Sequence, residues 1–272
     1  MNTASIPYIG VGLGYRPEIK NEILSHLNRD IDWIEIISER YLGQPVEFLN
    51  PMLGRCPIIP HGVELSVGTE GDLDANYLVK LSKLANDVQA PWVSDHLAFT
   101  RTEEIEIGNL TPLEFKDDVI RKVVSKVRYI QEFINRPFLL ENITYYFNIQ
   151  GEMTEAEFIT RIVSEADCGI LLDVANLYYN SENIGYDPYR FLEIIPLDRI
   201  VQVHLAGGKK DERGKWVDTH SEPVQGPVWE LFEYLAKRVS IKGVLIERDQ
   251  NFPEDFSEIL QDIRRAKNIL ER

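Results

Sequence analysis

Cysteine is scarce in this chain: two residues, Cys56 and Cys168, among 272. Two cannot build a disulfide framework or a C-x-x-C metal clip. Excess positive charge is absent as well. Lys+Arg of 29 against Asp+Glu of 44 leaves a formal charge of −15, which opposes the counterion release that drives nucleic-acid binding. No apolar run approaches the roughly 20 residues of a membrane span. Residues Met1 to Pro7 hold no basic stretch leading into an apolar one, so no signal peptide is expected. Linkers and low-complexity tracts are missing too. What remains is ample for a core: 44% hydrophobic and 10% aromatic residues exclude disorder as the main state. The expectation is one domain over residues 1–272, cytoplasmic, with no nucleic-acid or membrane partner.

Short β-rich apolar runs alternate with longer amphipathic ones. The runs predict strands at Tyr8–Gly12, Trp33–Ile37, Ile58–His61, Trp92–His96, Phe138–Asn142, Gly169–Asp173, Ile200–His204 and Val244–Glu247. Most are continuous Ile/Leu/Val, as in strands buried on both faces. Helical periodicity covers Asp74–Gln89, Leu113–Ile134, Thr154–Ala166, Trp229–Val239 and Pro253–Leu270. Thr154 and Glu157 form a capping-box pair, and Pro253 suits a first helical turn. Strand–helix alternation implies parallel βαβ units. Eight strands in about 250 residues is the size of an α/β (β/α)₈ TIM barrel; an open doubly wound sheet is the competitor. Gly10-Val11-Gly12-Leu13-Gly14-Tyr15 fails as a dinucleotide fingerprint because Tyr15 stands where the last glycine belongs. These glycines are read as bending the first βα turn or bringing backbone close to a ligand.

The strongest signal is where the polar residues fall. Barrel enzymes carry their sites at the C-terminal ends of the strands. The apolar runs end on His61, Asp95-His96, Glu141-Asn142, Asp173, His204 and Glu247, and Asp218-Thr219-His220 lies in the expected loop after the seventh run. Spacing i, i+2 in extended chain points Asp218 and His220 to one side. Asp173 and Asn176, at i, i+3, can converge as a helix begins. Four of the five histidines belong to this set; His26, in a polar helical stretch, is read as a surface residue. One strand-end histidine alone is usually a hydrogen-bonded core residue. Four carboxylates at one barrel mouth (Glu141, Asp173, Asp218, Glu247) instead force proton uptake or demand cations. Arg248 points away by strand alternation. Two or three divalent ions would neutralise the four carboxylates. The all-N/O donor set suits zinc, iron or manganese better than calcium or magnesium. Nine candidate ligands exceed the four of a structural zinc and point to a catalytic cluster.

With those residues set out, the chain resembles a family. His61-Gly62-Val63-Glu64-Leu65-Ser66-Val67-Gly68, Ser94-Asp95-His96-Leu97-Ala98, Leu140-Glu141-Asn142-Ile143, Leu172-Asp173-Val174-Ala175-Asn176, Val203-His204-Leu205-Ala206-Gly207-Gly208, Asp218-Thr219-His220 and Leu245-Ile246-Glu247-Arg248-Asp249 resemble the multinuclear non-heme iron-dependent oxidative enzymes, which include the methanobactin-biosynthesis oxidase. The resemblance implies a TIM barrel holding two or three irons (Fe2+/Fe3+), with dioxygen as co-substrate and a ribosomally made precursor peptide, modified at cysteine, as substrate. The implied ligands are His61, His96, Glu141, Asp173, Asn176, His204, Asp218, His220 and Glu247. One iron would bind the substrate thiolate, and dioxygen activated at a ferrous ion would remove hydrogen from the cysteine β-carbon. A partner protein that captures the leader peptide is also implied. Glu35 and Asp95 are candidates for orienting ligating imidazoles, and Tyr145, Tyr146, Tyr178 and Tyr179 for lining a peptide groove.

Two rival readings share the metal barrel. An endonuclease IV-like trizinc phosphodiesterase has a similar ligand order but resembles Asp-x-x-His where this chain has Asn176, and the −15 charge opposes a polyanionic substrate. A sugar isomerase of the xylose-isomerase type needs fewer histidines and a catalytic lysine, for which no strand end offers a candidate.

Overall fold

The computed structural model of the chain describes residues 1, 3–102, 105–149 and 151–271. Its eight parallel strands are β1 (Gly10–Gly14), β2 (Trp33–Ile37), β3 (Ile58–Gly62), β4 (Val93–His96), β5 (Phe138–Glu141), β6 (Gly169–Asp173), β7 (Ile200–Lys210) and β8 (Gly243–Glu247). Each pairs with the next, and β8 pairs with β1, so the sheet closes into a barrel. Closure leaves no open edge among these strands.

One layer of the barrel interior is apolar. Trp33, Ile59, Trp92, Leu139, Leu171, Val201 and Leu245, from successive strands or their first flanking residue, are buried against one another. Two residues further along a strand returns the side chain to the same face. From that layer, this step reaches Glu35, His61, Ser94, Glu141, Asp173 and Glu247, all buried. On β7 a register shift against β6 places Gln202 and His204 in that series instead. The interior therefore changes from hydrocarbon to polar within one repeat, at the C-terminal ends of the strands.

The outer faces of the strands pack on the helices. Asp117–Ile134, for example, buries Ile120, Val123, Val124, Val127, Ile130 and Ile134, each worth roughly 1.5–3 kcal/mol. The expected capping box at Thr154–Glu157 forms, and it opens Glu155–Ala166.

Several boundaries differ from the sequence-based expectation. The first strand is Gly10–Gly14 rather than Tyr8–Gly12, and Tyr8 is exposed. The glycines thus lie within the strand instead of bending a turn. A Cβ on Gly12 would stand 2.5 Å from the Trp33 ring, so its bareness makes room for the barrel's bottom layer. The helix expected from Leu113 starts at Asp117, and that expected from Pro253 starts at Ser257, leaving Pro253 outside it. Trp229–Val239 is Gly226–Ala236, and short helices occur at Lys20–His26, Val174–Asn180 and Pro188–Ile194. The seventh strand is 11 residues long, and Trp216–Glu222 pairs antiparallel with its outer half. The Asp218–His220 segment is therefore strand, not loop. A hairpin, Phe99–Arg101 with Glu106–Thr111, follows β4.

Candidate metal centre

Six barrel strands, the helix Val174–Asn180 and the antiparallel strand Trp216–Glu222 bring the nine candidate ligands to one mouth. Glu141 is central. Its Oε2 lies 3.2 Å from His61 Nε2 and 3.4 Å from His96 Nε2, and its Oε1 is 3.3 Å from His204 Nδ1. His204 Nδ1 is also 3.1 Å from Glu247 Oε2, and Glu247 Oε1 is 3.5 Å from His220 Nδ1. His220 Nε2 in turn lies 2.7 Å from Asp218 Oδ1, so the i, i+2 pair converges as expected. His220 has a left-handed φ of 47°, and the β7 pairing of its strand shifts register in the same stretch. Such backbone is unfavourable for a residue with a Cβ and collects at functional sites.

Asp173 caps the helix Val174–Asn180, its Oδ1 accepting the Asn176 N–H at 2.7 Å. Asn176 lies in the cleft wall. Its Nδ2 donates to the Asn142 carbonyl at 3.1 Å, and its Oδ1 accepts the Thr144 hydroxyl. That oxygen keeps one lone pair free.

Four triads of His and carboxylate side chains hold donor atoms within 4.8 Å of one another: His61–His96–Glu141, Glu35–His204–Glu247, Glu141–Asp173–His204 and Asp173–His220–Glu247. Because Glu141, Asp173, His204 and Glu247 each serve two triads, the arrangement suits neighbouring ions better than separate pockets. The decisive detail is unmet bonding capacity. Glu141 Oε2, Asp173 Oδ2, His204 Nδ1, Asp218 Oδ1 and His220 Nε2 are buried and make no hydrogen bond of normal geometry, although several approach one another closely, as His220 Nε2 and Asp218 Oδ1 do. Buried polar atoms are otherwise almost always satisfied, since leaving one bare costs about 1–3 kcal/mol. Donor atoms that converge without such hydrogen bonds fit cations between them.

Electrostatics agree. Burial raises the Asp173 carboxyl well above the usual range, reinforced by the Asp218 and Glu141 charges. Burial also acts on Glu141, but His204, His96 and His61 outweigh it and bring the group to about 2. His204 and His220 are held well above the ordinary imidazole value: burial opposes, and the surrounding carboxylates (Glu35, Glu141 and Glu247; Asp218 and Glu247) prevail. Burial moves His96 the other way. The carboxylates thus demand positive charge, which protons on His204 and His220 supply when metal does not.

The backs of the imidazoles are fixed. His204 turns Nε2 away from the mouth to Glu35 Oε2, 3.2 Å off, and Gln202 Nε2 donates to that same carboxylate oxygen at 2.5 Å. Trp92 Nε1 donates to Gln202 Oε1 at 2.6 Å, which orients that amide. Glu35 is thus an orienting partner of His204, as expected. Asp95 differs: its nearest oxygen is 4.0 Å from His96 Nδ1, and the Gly62 carbonyl takes that nitrogen at 3.1 Å. Asp95 instead accepts the His96 and Leu65 backbone N–H groups. His61 Nδ1 meets Ser94 Oγ at 2.9 Å.

Above the cluster is a cleft of about 400 Å³, walled by Ile37, Ile143, Tyr146, and Asn109 and Leu110 of the hairpin. Of the four tyrosines expected to line a groove, only Tyr146 does. Tyr145 and Tyr179 are buried, bonded to Glu155 and Gln225, and Tyr178 packs on Trp216. Two cleft residues were not among the expected site members, although Asp249 closes the motif of residues 245–249. Arg16 is buried, with its guanidinium paired to Glu247 and Asp249, and Asp249 also lies 3.2 Å from His220 Nδ1. Arg16 sits beyond the end of β1 with no neighbouring polar motif, so only barrel closure reveals it. Arg248 does point away, to Glu258 and the Ser221 carbonyl. His26 is half-buried, its Nδ1 2.8 Å from Asp30. Neither cysteine lines the cleft, and burial pushes the Cys56 and Cys168 thiols up to about 11 and about 12.

Comparison with known proteins identifies the family. The family model for the RiPP precursor modification enzyme MbnB/TglH/ChrH matches residues 10–271. The chain belongs to this family. It is 36% identical over 266 residues to a UPF0276 protein of Anaeromyxobacter sp. (strain Fw109-5), covering 96% of this chain and 93% of that one. A UPF0276 protein of Acinetobacter baylyi is 32% identical over 248 residues, covering 90% and 86%. Among solved structures, D-psicose 3-epimerase from Clostridium cellulolyticum H10 aligns with a TM-score of 0.62 at 11% identity over 96% of this chain and 98% of that one. Endonuclease IV from Thermus thermophilus aligns with a TM-score of 0.57 at 16% identity over 97% and 99%. At such identities the two structures share the barrel fold and nothing more is drawn from them. Membership makes the chain a RiPP-modifying enzyme with a peptide substrate, and the side-chain groups at the mouth are consistent with a multinuclear metal enzyme. No helix among the described residues is long and apolar enough to cross a membrane.

Proposed function

We propose that the chain is a multinuclear non-heme iron oxidase that uses dioxygen to modify a ribosomally made peptide at cysteine. The observation that carries the metal part of this reading is the set of buried donor atoms on Glu141, Asp173, His204, Asp218 and His220 that converge on one another without a hydrogen bond of normal geometry. In it, His61, His96, Glu141, Asp173, Asn176, His204, Asp218, His220 and Glu247 hold two or three ions. When bound, those ions supply Lewis acidity for a thiolate and one-electron chemistry with dioxygen.

The protein's own contribution is positioning and charge. Glu141 reaches three imidazoles at once, and so fixes the spacing of the donors it shares. Glu35, itself held by the Gln202 amide, fixes the His204 ring so that Nδ1 faces the mouth. Arg16 offsets part of the charge on Glu247 and Asp249. The cleft between the hairpin and Tyr146 gives an extended peptide a route to the cluster, with Asn109 and Leu110 along its wall. A separate partner that captures the leader completes the proposal, and the resemblance to the iron oxidases supports it.

The test is metal analysis after anaerobic purification. At least two equivalents of iron, with dioxygen consumed on addition of a cysteine-bearing precursor peptide, is the expected result. Zinc content together with nicking of abasic DNA would instead establish the phosphodiesterase alternative.

A further inference from the structure

A second cavity, of about 380 Å³, lies outside the metal cleft and shares no lining residue with it. The connection between β5 and the helix Glu155–Ala166 separates the two: Thr144 and Tyr146 face the cleft, while Tyr145 faces the cavity. Its walls are mostly hydrocarbon and aromatic, from Phe115, Tyr145, Tyr186 and Phe191, with the exposed Ile194 at its mouth.

Two polar groups interrupt this lining. Glu155 places a carboxylate in the wall, and its Oε2 accepts the Tyr145 hydroxyl at 2.9 Å. Among the described residues no Lys, Arg or His lies within ion-pair distance of that carboxylate. The Tyr186 hydroxyl is buried nearby; it is close enough to ease the charge on Glu155 but makes no hydrogen bond of normal geometry. The other charges on the wall are Asp187 and Arg190. Arg190 is engaged by Glu193 at 2.7 Å, so the uncommitted charge is negative. Burial also pushes the Glu155 carboxyl up to about 7 against the influence of the two tyrosine hydroxyls, the behaviour of an acid lacking a cation. An apolar chamber with an unpaired acid and a spare hydroxyl matches one ligand chemistry: an ammonium group on a small hydrophobic body. The ammonium would pair with Glu155 and donate to the Tyr186 oxygen, while the aromatic walls take the hydrocarbon.

We propose that this cavity is a second binding site, selective for a primary amine carried on a small apolar group. The proposal is independent of the metal centre. It is tested by titrating the purified protein with phenethylammonium at pH 8, following its NMR signals, with 3-phenylpropan-1-ol and 3-phenylpropanoate as neutral and anionic probes. Saturable binding is expected for the amine, at least about tenfold weaker binding for the alcohol, and none for the carboxylate. Glu155→Gln should remove most of the preference for the amine over the alcohol, and Ile194→Trp should close the mouth to both. Circular dichroism and metal content check that each variant keeps the fold and the other site. No saturable amine binding, equal affinity for amine and alcohol, or an unchanged preference in folded Glu155→Gln would each overturn the proposal.

Discussion

The most exacting consequence concerns Asp173. Its side chain is fully buried, one oxygen caps a helix, and the other has no partner. Without metal this group is a liability. Burial and the neighbouring carboxylates raise its folded-state value well above the roughly 3.9 of an unfolded aspartate. The native state is therefore penalised as pH rises above about 4, by about 1.4 kcal/mol for each tenfold gain in proton affinity. Asp173→Asn removes that penalty while keeping the cap, since asparagine serves as well there. At pH 8 the metal-free variant should melt at or above metal-free wild type, and the difference should vanish near pH 4. With metal the order reverses. An ion at a hundred times its dissociation constant adds about 2.7 kcal/mol. With an unfolding entropy of about 2.1 cal/mol/K per residue, this lifts the melting temperature of a 272-residue chain by about 5 °C. Differential scanning calorimetry with and without anaerobic ferrous iron measures all four states. If the variant shows the same metal-induced rise as wild type, Asp173 is not a ligand. If wild type shows no rise with iron, zinc or manganese, the reading of the barrel mouth as a metal centre fails.

Other outcomes follow from the same structure. Protons held on His204 and His220 by the carboxylates must leave when metal binds. Metal uptake should therefore acidify a weakly buffered solution, and apparent affinity should fall as pH is lowered; no proton release would refute this. His204→Ala, which removes a donor common to two triads, should lower bound metal below half the wild-type content by plasma emission analysis. Gly12→Ala forces a Cβ against the Trp33 ring and should destabilise the fold by about 1–3 kcal/mol in urea unfolding. Burial raises Asp262 to about 6, above its unfolded value, so native stability drops as pH passes from about 4 to 6. Asp262→Asn should then be the more stable protein at pH 8 and equal to wild type at pH 4.

Strand periodicity alone carried the reasoning a long way. Each apolar run marks a stave, and the residue that ends it stands at the C-terminal rim, which is why His61, Glu141, Asp173, His204 and Glu247 could be named before any fold was seen. Residues without that context stayed hidden. Arg16 follows a glycine-rich strand and acquires its partners only because β1 closes against β8. Tyr145 and Tyr146 divide between cavity and cleft according to which way each peptide between β5 and the helix Glu155–Ala166 turns, and no periodic rule governs such a segment. The strand Trp216–Glu222 exists because β7 runs past the barrel rim and offers it an edge.

Sequence by itself determined the alternation of buried strands with amphipathic helices and the chemical character of the strand ends. Both are local properties: an apolar run buries itself, and a charged residue at its end cannot follow it into hydrocarbon. Tertiary structure decided which donors share an ion and which serve as supports. The same Glu or His is a ligand or an orienting partner according to which nitrogen or oxygen faces the mouth, and only closure of the strands, with the slip in register at β7, sets that direction.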